Sequence, residues 1–147
     1  MKVFAFSGRT HHLKRLGGIV NALKQRGDET SYVICQNSVG IDEAATDLIP
    51  LGLPFKHALD YFNPQYLPAV GEIVQDALKH LKPEKFAEDI FSFHDPYWII
   101  SSLREFSEDL LGFGGMLQAE KPDRVLILHE SNSYGKLIAY LCSELGI

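Results

Sequence analysis

The sequence predicts an α/β protein with a doubly wound parallel sheet and helices on both faces, giving three layers, α/β/α. Two observations lead to this prediction. Short apolar runs rich in strand formers alternate with segments whose apolar residues recur at helical spacing, which is the pattern of βαβ units. The last such run, at residues 124–128, is apolar almost throughout, as expected of a strand buried on both faces.

Composition fits a single domain covering residues 1–147. Of these 147 residues 46% are hydrophobic and 22% charged, enough for a substantial core. The formal net charge of −5 gives no electrostatic reason to expect nucleic acid or an anionic membrane as partner. No apolar stretch approaches the roughly 20 residues of a membrane span, and the N-terminus lacks a signal-peptide pattern. A cytoplasmic protein without a membrane span is therefore expected.

The first unit of the chain combines a strand, a glycine-bearing turn and a helix. An apolar run at residues 3–6 predicts the strand, and Ser7-Gly8 ends it with turn formers. Apolar residues at positions 13, 16, 20 and 23 recur at helical spacing and predict an amphipathic helix. Gly27 follows, where a helix end favours a left-handed residue.

The next elements complete one half of the predicted sheet. Residues 30–36 are β-branched and aromatic and predict a second strand, and residues 41–48 predict a helix that Gly52 stops. Residues 53–58 predict a third strand. Pro54 places this strand at the sheet edge, because proline cannot donate a hydrogen bond to a ladder.

Helical patterns dominate the remainder of the chain. Spacing predicts a helix over 70–81 and a short one over 84–90, after an irregular connection. Asp95-Pro96 predicts the start of a long helix to about Ala119, which Gly112, Gly114 and Gly115 are expected to weaken or bend. The strand at 124–128 precedes a last helix, and Gly146 follows that helix.

Two polar turns are predicted at the position where such sheets bind ligands. In the commonest doubly wound, Rossmann-like order, the first strand lies between the second and the fourth, and the order reverses between first and fourth. Ligands bind at this reversal, beyond the carboxyl ends of the strands. The turns after these two strands, at 7–12 and 129–132, each precede a helix N-terminus, which favours an anion or a sugar hydroxyl.

Several side chains in these turns have chemistry suited to such a site. His11 or His12 could act as a general base, since the unperturbed pKa of histidine is near neutrality, or could bond to the backbone of the helix start. Glu130 is interpreted as an acid-base group, a ligand for sugar hydroxyls, or a carboxylate that compensates the helix dipole. Ser131 or Asn132 caps the last helix or binds substrate.

Other functional motifs are missing or have simpler explanations. The chain has neither the GxGxxG dinucleotide fingerprint nor a GxxxxGK[ST] phosphate loop. Neighbouring acids such as Glu108-Asp109 are expected on a solvated helix face. Cys35 and Cys142 do not have a metal-ligand spacing and are expected to be buried, reduced thiols.

Two passages of the sequence resemble a known superfamily. The first is SGRTHHL at 7–13, followed by a helix that ends in LKQRGDE at 23–29; the second is KPDRVLILHE at 121–130, followed by a helix that ends in LGI at 145–147. They resemble the N-terminal domains of GT-B glycosyltransferases and of UDP-N-acetylglucosamine 2-epimerases. Arg9 and His11 depart from this pattern, because many members carry glycine there, and side chains hinder close approach of the loop backbone to phosphate.

The resemblance implies a role for the chain and for its turns. It implies the N-terminal, acceptor-side half of a truncated two-domain enzyme, which uses a nucleotide-sugar as co-substrate, needs no metal or cofactor, and is inactive without its C-terminal Rossmann-like domain. His12, or failing that His11, would orient or deprotonate a sugar acceptor. The alternatives are a sugar-nucleotide 2-epimerase and a non-catalytic binding or assembly module. The implied substrate-binding residues are Gly8, Arg9, Thr10, Glu130, Ser131 and Asn132.

Overall fold

The computed structural model describes residues 1–6, 10–34, 55–80, 96–128 and 133–147, with the backbone alone at 10–14, 96–98 and 133. Two short 3₁₀ turns, at Ala58–Tyr61 and Pro64–Tyr66, follow the third strand; the first begins at the last residue of the predicted strand and the second lies within the connection predicted to be irregular. The helices and strands, in chain order, are β1 (Lys2–Phe6), α1 (Thr10–Gln25), β2 (Glu29–Ile34), β3 (Phe55–His57), α2 (Leu67–His80), α3 (Pro96–Glu120), β4 (Arg124–Ile127) and α4 (Ser133–Leu145).

Within the described residues the sheet has four strands in the order β3-β2-β1-β4. Every neighbouring pair is parallel. Strand order therefore reverses between β1 and β4, which confirms the doubly wound arrangement predicted from the sequence. β3 lies at the edge of this sheet, as the proline argument predicts, although Pro54 itself is outside the described residues.

Helices cover both faces of the sheet because successive side chains of β1 point to opposite sides. On one face Ala5 packs with Leu16 and Val20 of α1. On the other face Phe4 and Phe6 belong to a larger cluster formed with α3 and α4, and this cluster includes Phe113, Met116, Leu117, Ile138 and Cys142. The fold is thus the three-layer, Rossmann-like α/β/α sandwich that the sequence predicts.

Two glycines end helices in the same way. Gly27 has a φ of 91° and Gly146 a φ of 71°, both in the left-handed region that side chains with a Cβ avoid. After α1 the N–H of Gly27 bonds to the carbonyl of Lys24, and the N–H of the next residue bonds to that of Leu23. Gly146 has the same pair of bonds at the end of α4. Both ends are therefore Schellman motifs, as expected from the positions of these glycines.

α3 runs without interruption from Pro96 to Glu120, through the three glycines that the sequence predicts to weaken or bend it. A Cβ atom on Gly112 would lie 2.4 Å from the carbonyl oxygen of Ala58, and one on Gly115 would lie 2.8 Å from that of Tyr61. These glycines allow the first 3₁₀ turn to pack directly on the helix. Their structural role is close approach between backbones rather than flexibility.

Some predicted features fall where the structure gives no description. These include Cys35, the helix at 41–48 with its stop at Gly52, and the short helix at 84–90. Cys142 is described: it is a buried free thiol, and burial raises its pKa. Among the helices described, none is both long enough and apolar enough to cross a membrane.

Candidate ligand site at the strand-order reversal

The carboxyl ends of β1 and β4 lie side by side. Phe6, the last residue of β1, pairs with Ile127, the last residue of β4, and neighbouring strands are about 4.8 Å apart. The chain therefore leaves the sheet at adjacent points, before residues 7–9 and 129–132. Sequence reasoning predicts this adjacency although about 120 residues separate the two strands, since the topology rules for parallel sheets require it.

The structure places only some of the predicted site residues. Thr10, His11 and His12 are the first three residues of α1, so they lie in the turn whose backbone N–H groups have no partner within the helix. Their side chains are not described. The other predicted site residues lie outside the described part of the chain, and these are Gly8, Arg9, Glu130, Ser131 and Asn132.

A buried carboxylate lies behind the α4 side of this site. Asp109 of α3 is fully buried, and one of its oxygens, Oδ2, accepts a hydrogen bond of 2.9 Å from the hydroxyl of Tyr134. Tyr134 is the second residue of α4. Its ring packs against Phe106 of α3, at 5.0 Å between centroids, and against Phe6 at 6.3 Å. The first turn of α4 is thus joined to α3 and to the end of β1.

The expectation that Glu108 and Asp109 share a solvated face is wrong for Asp109. The Glu108 side chain is partly exposed and accepts a hydrogen bond of 2.9 Å from Arg104. Asp109 lies four residues before Phe113 and seven before Met116, so helical geometry places it on the buried stripe. That spacing was available in the sequence and could have identified Asp109 as an inward residue.

A second polar group, here called the amino-edge cluster, gathers around the start of β1 and the end of α3 and consists of Lys2, Lys56, Tyr61 and Glu120. Lys56 donates to Oε1 of Glu120 at 2.8 Å, and Lys2 donates to the carbonyl of the same residue at 2.8 Å. Lys2 also bonds to the Glu120 carboxylate, as does the Tyr61 hydroxyl. The cluster joins β1, β3 and the first 3₁₀ turn to the end of α3.

The electrostatics of the amino-edge cluster favour a structural role over a catalytic one. Hydrogen bonds from Lys2, Lys56 and Tyr61 lower the pKa of Glu120 from 4.5 to about 2. The bond to Glu120 raises the pKa of Lys56. Burial, together with the bond to Glu120, raises the pKa of the Tyr61 hydroxyl. Neither Lys56 nor Tyr61 is therefore activated as a base or nucleophile near neutral pH.

Helices α2 and α3 enclose an apolar groove of about 570 Å³. The charged residue in its lining is Arg104, which pairs with Glu108. The groove therefore offers packing surface rather than reactive groups. The lining residues are Leu67, Val70, Gly71, Val74, Gln75, Leu78, Ile100 and Arg104.

Over the described ranges, no three His, Cys, Asp or Glu side chains come together in a group that could hold a metal ion. No model of a known protein family matches the sequence, and no curated protein is significantly similar to it. The features that indicate a function are therefore the geometry at the strand-order reversal and the motifs at 7–12 and 129–132.

Proposed function

We propose that this chain is the acceptor-side domain of a GT-B-type glycosyltransferase, which transfers a sugar from a nucleotide-sugar donor to an acceptor hydroxyl. The observation that carries the proposal is the pairing of Phe6 with Ile127, because the two strands that precede the motif-bearing segments then end side by side. Doubly wound proteins bind their ligands at this position.

The helix that follows the first turn adds a physical reason for this ligand class. α1 begins at Thr10, and the unpaired N–H groups and positive dipole end of its first turn favour phosphate oxygens and sugar hydroxyls. His11 and His12 belong to this turn. Imidazole titrates near neutral pH, so either histidine suits the removal of a proton from a hydroxyl.

In the proposed reaction the acceptor oxygen attacks the anomeric carbon of the donor sugar. His12, or failing that His11, takes the hydroxyl proton as the new C–O bond forms. The bond between the sugar and the nucleotide diphosphate breaks, and the diphosphate leaves with its electron pair. Helix N-termini and basic groups such as Arg9 stabilise the leaving charge, so no step is assigned to a metal or cofactor. The proposal assigns Glu130 and Asn132 to the wall of the cleft that faces a second Rossmann-like domain, which holds the nucleotide.

The proposal is tested by titrating the ¹⁵N-labelled chain with UDP-N-acetylglucosamine and, separately, with N-acetylglucosamine. We expect the amide signals of Thr10, His11 and His12 to shift, while those of Lys2 and Glu120 in the amino-edge cluster stay unchanged. Binding of neither probe, or shifts confined to the groove between α2 and α3, would contradict the proposal.

Two histidine variants test in the same titration whether His12 belongs to the ligand site. His12→Ala is expected to weaken binding by about tenfold, because it removes the imidazole that the proposal assigns to the acceptor hydroxyl. His80→Ala is the matched control, since His80 lies on α2 with its side chain 81% exposed. Equal affinities for the two variants would exclude His12 from the site.

Product analysis separates transfer from epimerisation. UDP-N-acetylglucosamine is incubated with the complete two-domain protein, with and without acceptor sugars. Sugar transfer requires the acceptor, whereas a 2-epimerase converts the nucleotide-sugar alone. If the 2-epimer is found among the products, the protein is assigned as a 2-epimerase instead of a transferase.

A further inference from the structure

Asp109 and Tyr134 form a polar pair in a place where packing alone requires no polar group. Asp109 is fully buried, and a carboxylate in such surroundings loses its hydration. The Tyr134 hydroxyl compensates part of this loss through its 2.9 Å hydrogen bond. An apolar side chain at position 109 and phenylalanine at position 134 would fill the same space. The pair therefore contributes something that hydrophobic packing does not.

The hydrogen bond adds a directional constraint on the position of the Tyr134 ring. Aromatic packing against Phe6 and Phe106 restricts the plane of the Tyr134 ring but tolerates sliding along it. A hydrogen bond to a fixed acceptor restricts this remaining freedom, because it weakens with distance and angle. The acceptor is fixed, since Asp109 belongs to the middle of the long helix α3.

The location of the pair gives this restriction a functional consequence. Tyr134 is the second residue of α4, and its ring contacts the last residue of β1. Its position therefore sets the separation between the start of α4 and the end of β1. These are the two sides of the proposed ligand site. The hydroxyl donates its hydrogen to the buried carboxylate, so the inference assigns it no contact with the ligand.

We propose that Asp109 and Tyr134 are positioning residues, which hold the first turn of α4 at a fixed distance from the end of β1 and thereby set the width of the sugar-binding site. This inference rests on the proposed function and deepens it. Hydroxyl recognition depends on hydrogen-bond geometry, and a displacement of about 1 Å in a binding site can cost up to 100-fold in activity. A buried directional contact is a suitable device for such control.

The decisive variant is Tyr134→Phe, which removes the hydroxyl and keeps the ring. It is compared with the parent chain by the titration with UDP-N-acetylglucosamine and N-acetylglucosamine described above, at a temperature where circular dichroism shows each variant to be folded. We expect binding to weaken by about tenfold or more. Tyr140→Phe is the matched control on the same helix, because its side chain is 61% exposed, and it is expected to bind normally.

Asp109→Asn separates positioning from a direct effect of charge. The amide oxygen of asparagine can still accept the hydrogen bond from Tyr134, so this variant is expected to retain affinity within about threefold of the parent. Asp109→Leu removes the acceptor and is expected to weaken binding as Tyr134→Phe does. If Asp109→Asn loses as much affinity as Tyr134→Phe, positioning through the hydrogen bond is overturned.

The remaining outcomes distinguish this inference from the proposed function. If the parent chain binds neither probe, both are overturned. If the parent binds and Tyr134→Phe binds equally well, positioning alone is overturned and the sugar site stands. A lower unfolding temperature for Tyr134→Phe with unchanged affinity would give the pair a purely structural role, which also contradicts positioning.

Discussion

The carbonyl oxygen of Ala58 lies against Gly112 of α3, 2.4 Å from the position that a Cβ atom would occupy on the glycine. This contact lets the chain after β3 pack on the helix that covers the same face of the sheet. It also shows that a glycine within a helix can be required by a neighbouring segment, whatever its effect on the helix itself.

We predict that Gly112→Ala destabilises the protein by about 1–3 kcal/mol, because the methyl group forces the Ala58 carbonyl away from the helix. Gly114→Ala is the matched control two residues along. A Cβ atom there meets nothing within 4 Å, so better helix propensity should stabilise the protein by up to about 1 kcal/mol. Urea unfolding measures both variants. The same effect for both would exclude the close contact as the cause.

We predict that Glu120→Gln destabilises the protein by about 1 kcal/mol, because it removes the charge that Lys2 and Lys56 share. Glu29→Gln is the control: its carboxylate also faces Lys2, but at 4.0 Å and with the side chain 67% exposed. We expect that variant to unfold like the parent. A larger loss for Glu29→Gln than for Glu120→Gln would contradict the importance of the amino-edge cluster.

The pH dependence of this effect has a definite sign. In the folded chain the pKa of Glu120 is about 2, below its ordinary value of 4.5, so the folded state binds fewer protons between these values. The stability contributed by Glu120 is therefore complete above about pH 5 and is lost as pH falls toward 2. The difference in unfolding free energy between parent and Glu120→Gln should shrink over this range. A difference that stays constant with pH would refute this assignment.

We predict that Tyr32→Phe leaves stability unchanged or increases it by about 1 kcal/mol. The Tyr32 side chain is fully buried, and its hydroxyl has no hydrogen-bond partner among the described residues. Phenylalanine keeps the stacking with Phe55, whose ring centroid is 5.5 Å away. Tyr61→Phe is the contrasting variant and should destabilise, because the Tyr61 hydroxyl donates to Glu120. Thermal unfolding compares them, and equal losses would contradict the assigned difference.

Sequence reasoning predicts features that local rules determine. Gly27 and Gly146 each follow an apolar stripe at helical spacing, so the ends of α1 and α4 are predicted correctly. The adjacency of β1 and β4 is also predicted, because parallel topology allows few alternatives. These rules act over a few residues or over the whole sheet.

Features that depend on particular tertiary contacts are not predicted. Lys2 and Glu120 are 118 residues apart, and nothing in either neighbourhood indicates that they meet. The sequence predicts only that Gly112 weakens or bends α3, because the segment that needs the glycine, at Ala58, lies more than 50 residues earlier. Asp109 is misassigned because neighbouring acids usually mark a solvated surface, whereas this helix is covered by the sheet and by α4.

The central position of β1 has a consequence for how the chain folds. Val3 pairs on one side with Thr30 and on the other with Arg124, so the second ladder of the first strand forms only after the residues up to Arg124 have been synthesised. Until then the growing chain exposes an apolar strand edge that could pair with another molecule. Closing so distant a contact is slow, and a ribosome-bound intermediate should depend on chaperones until the fourth strand emerges.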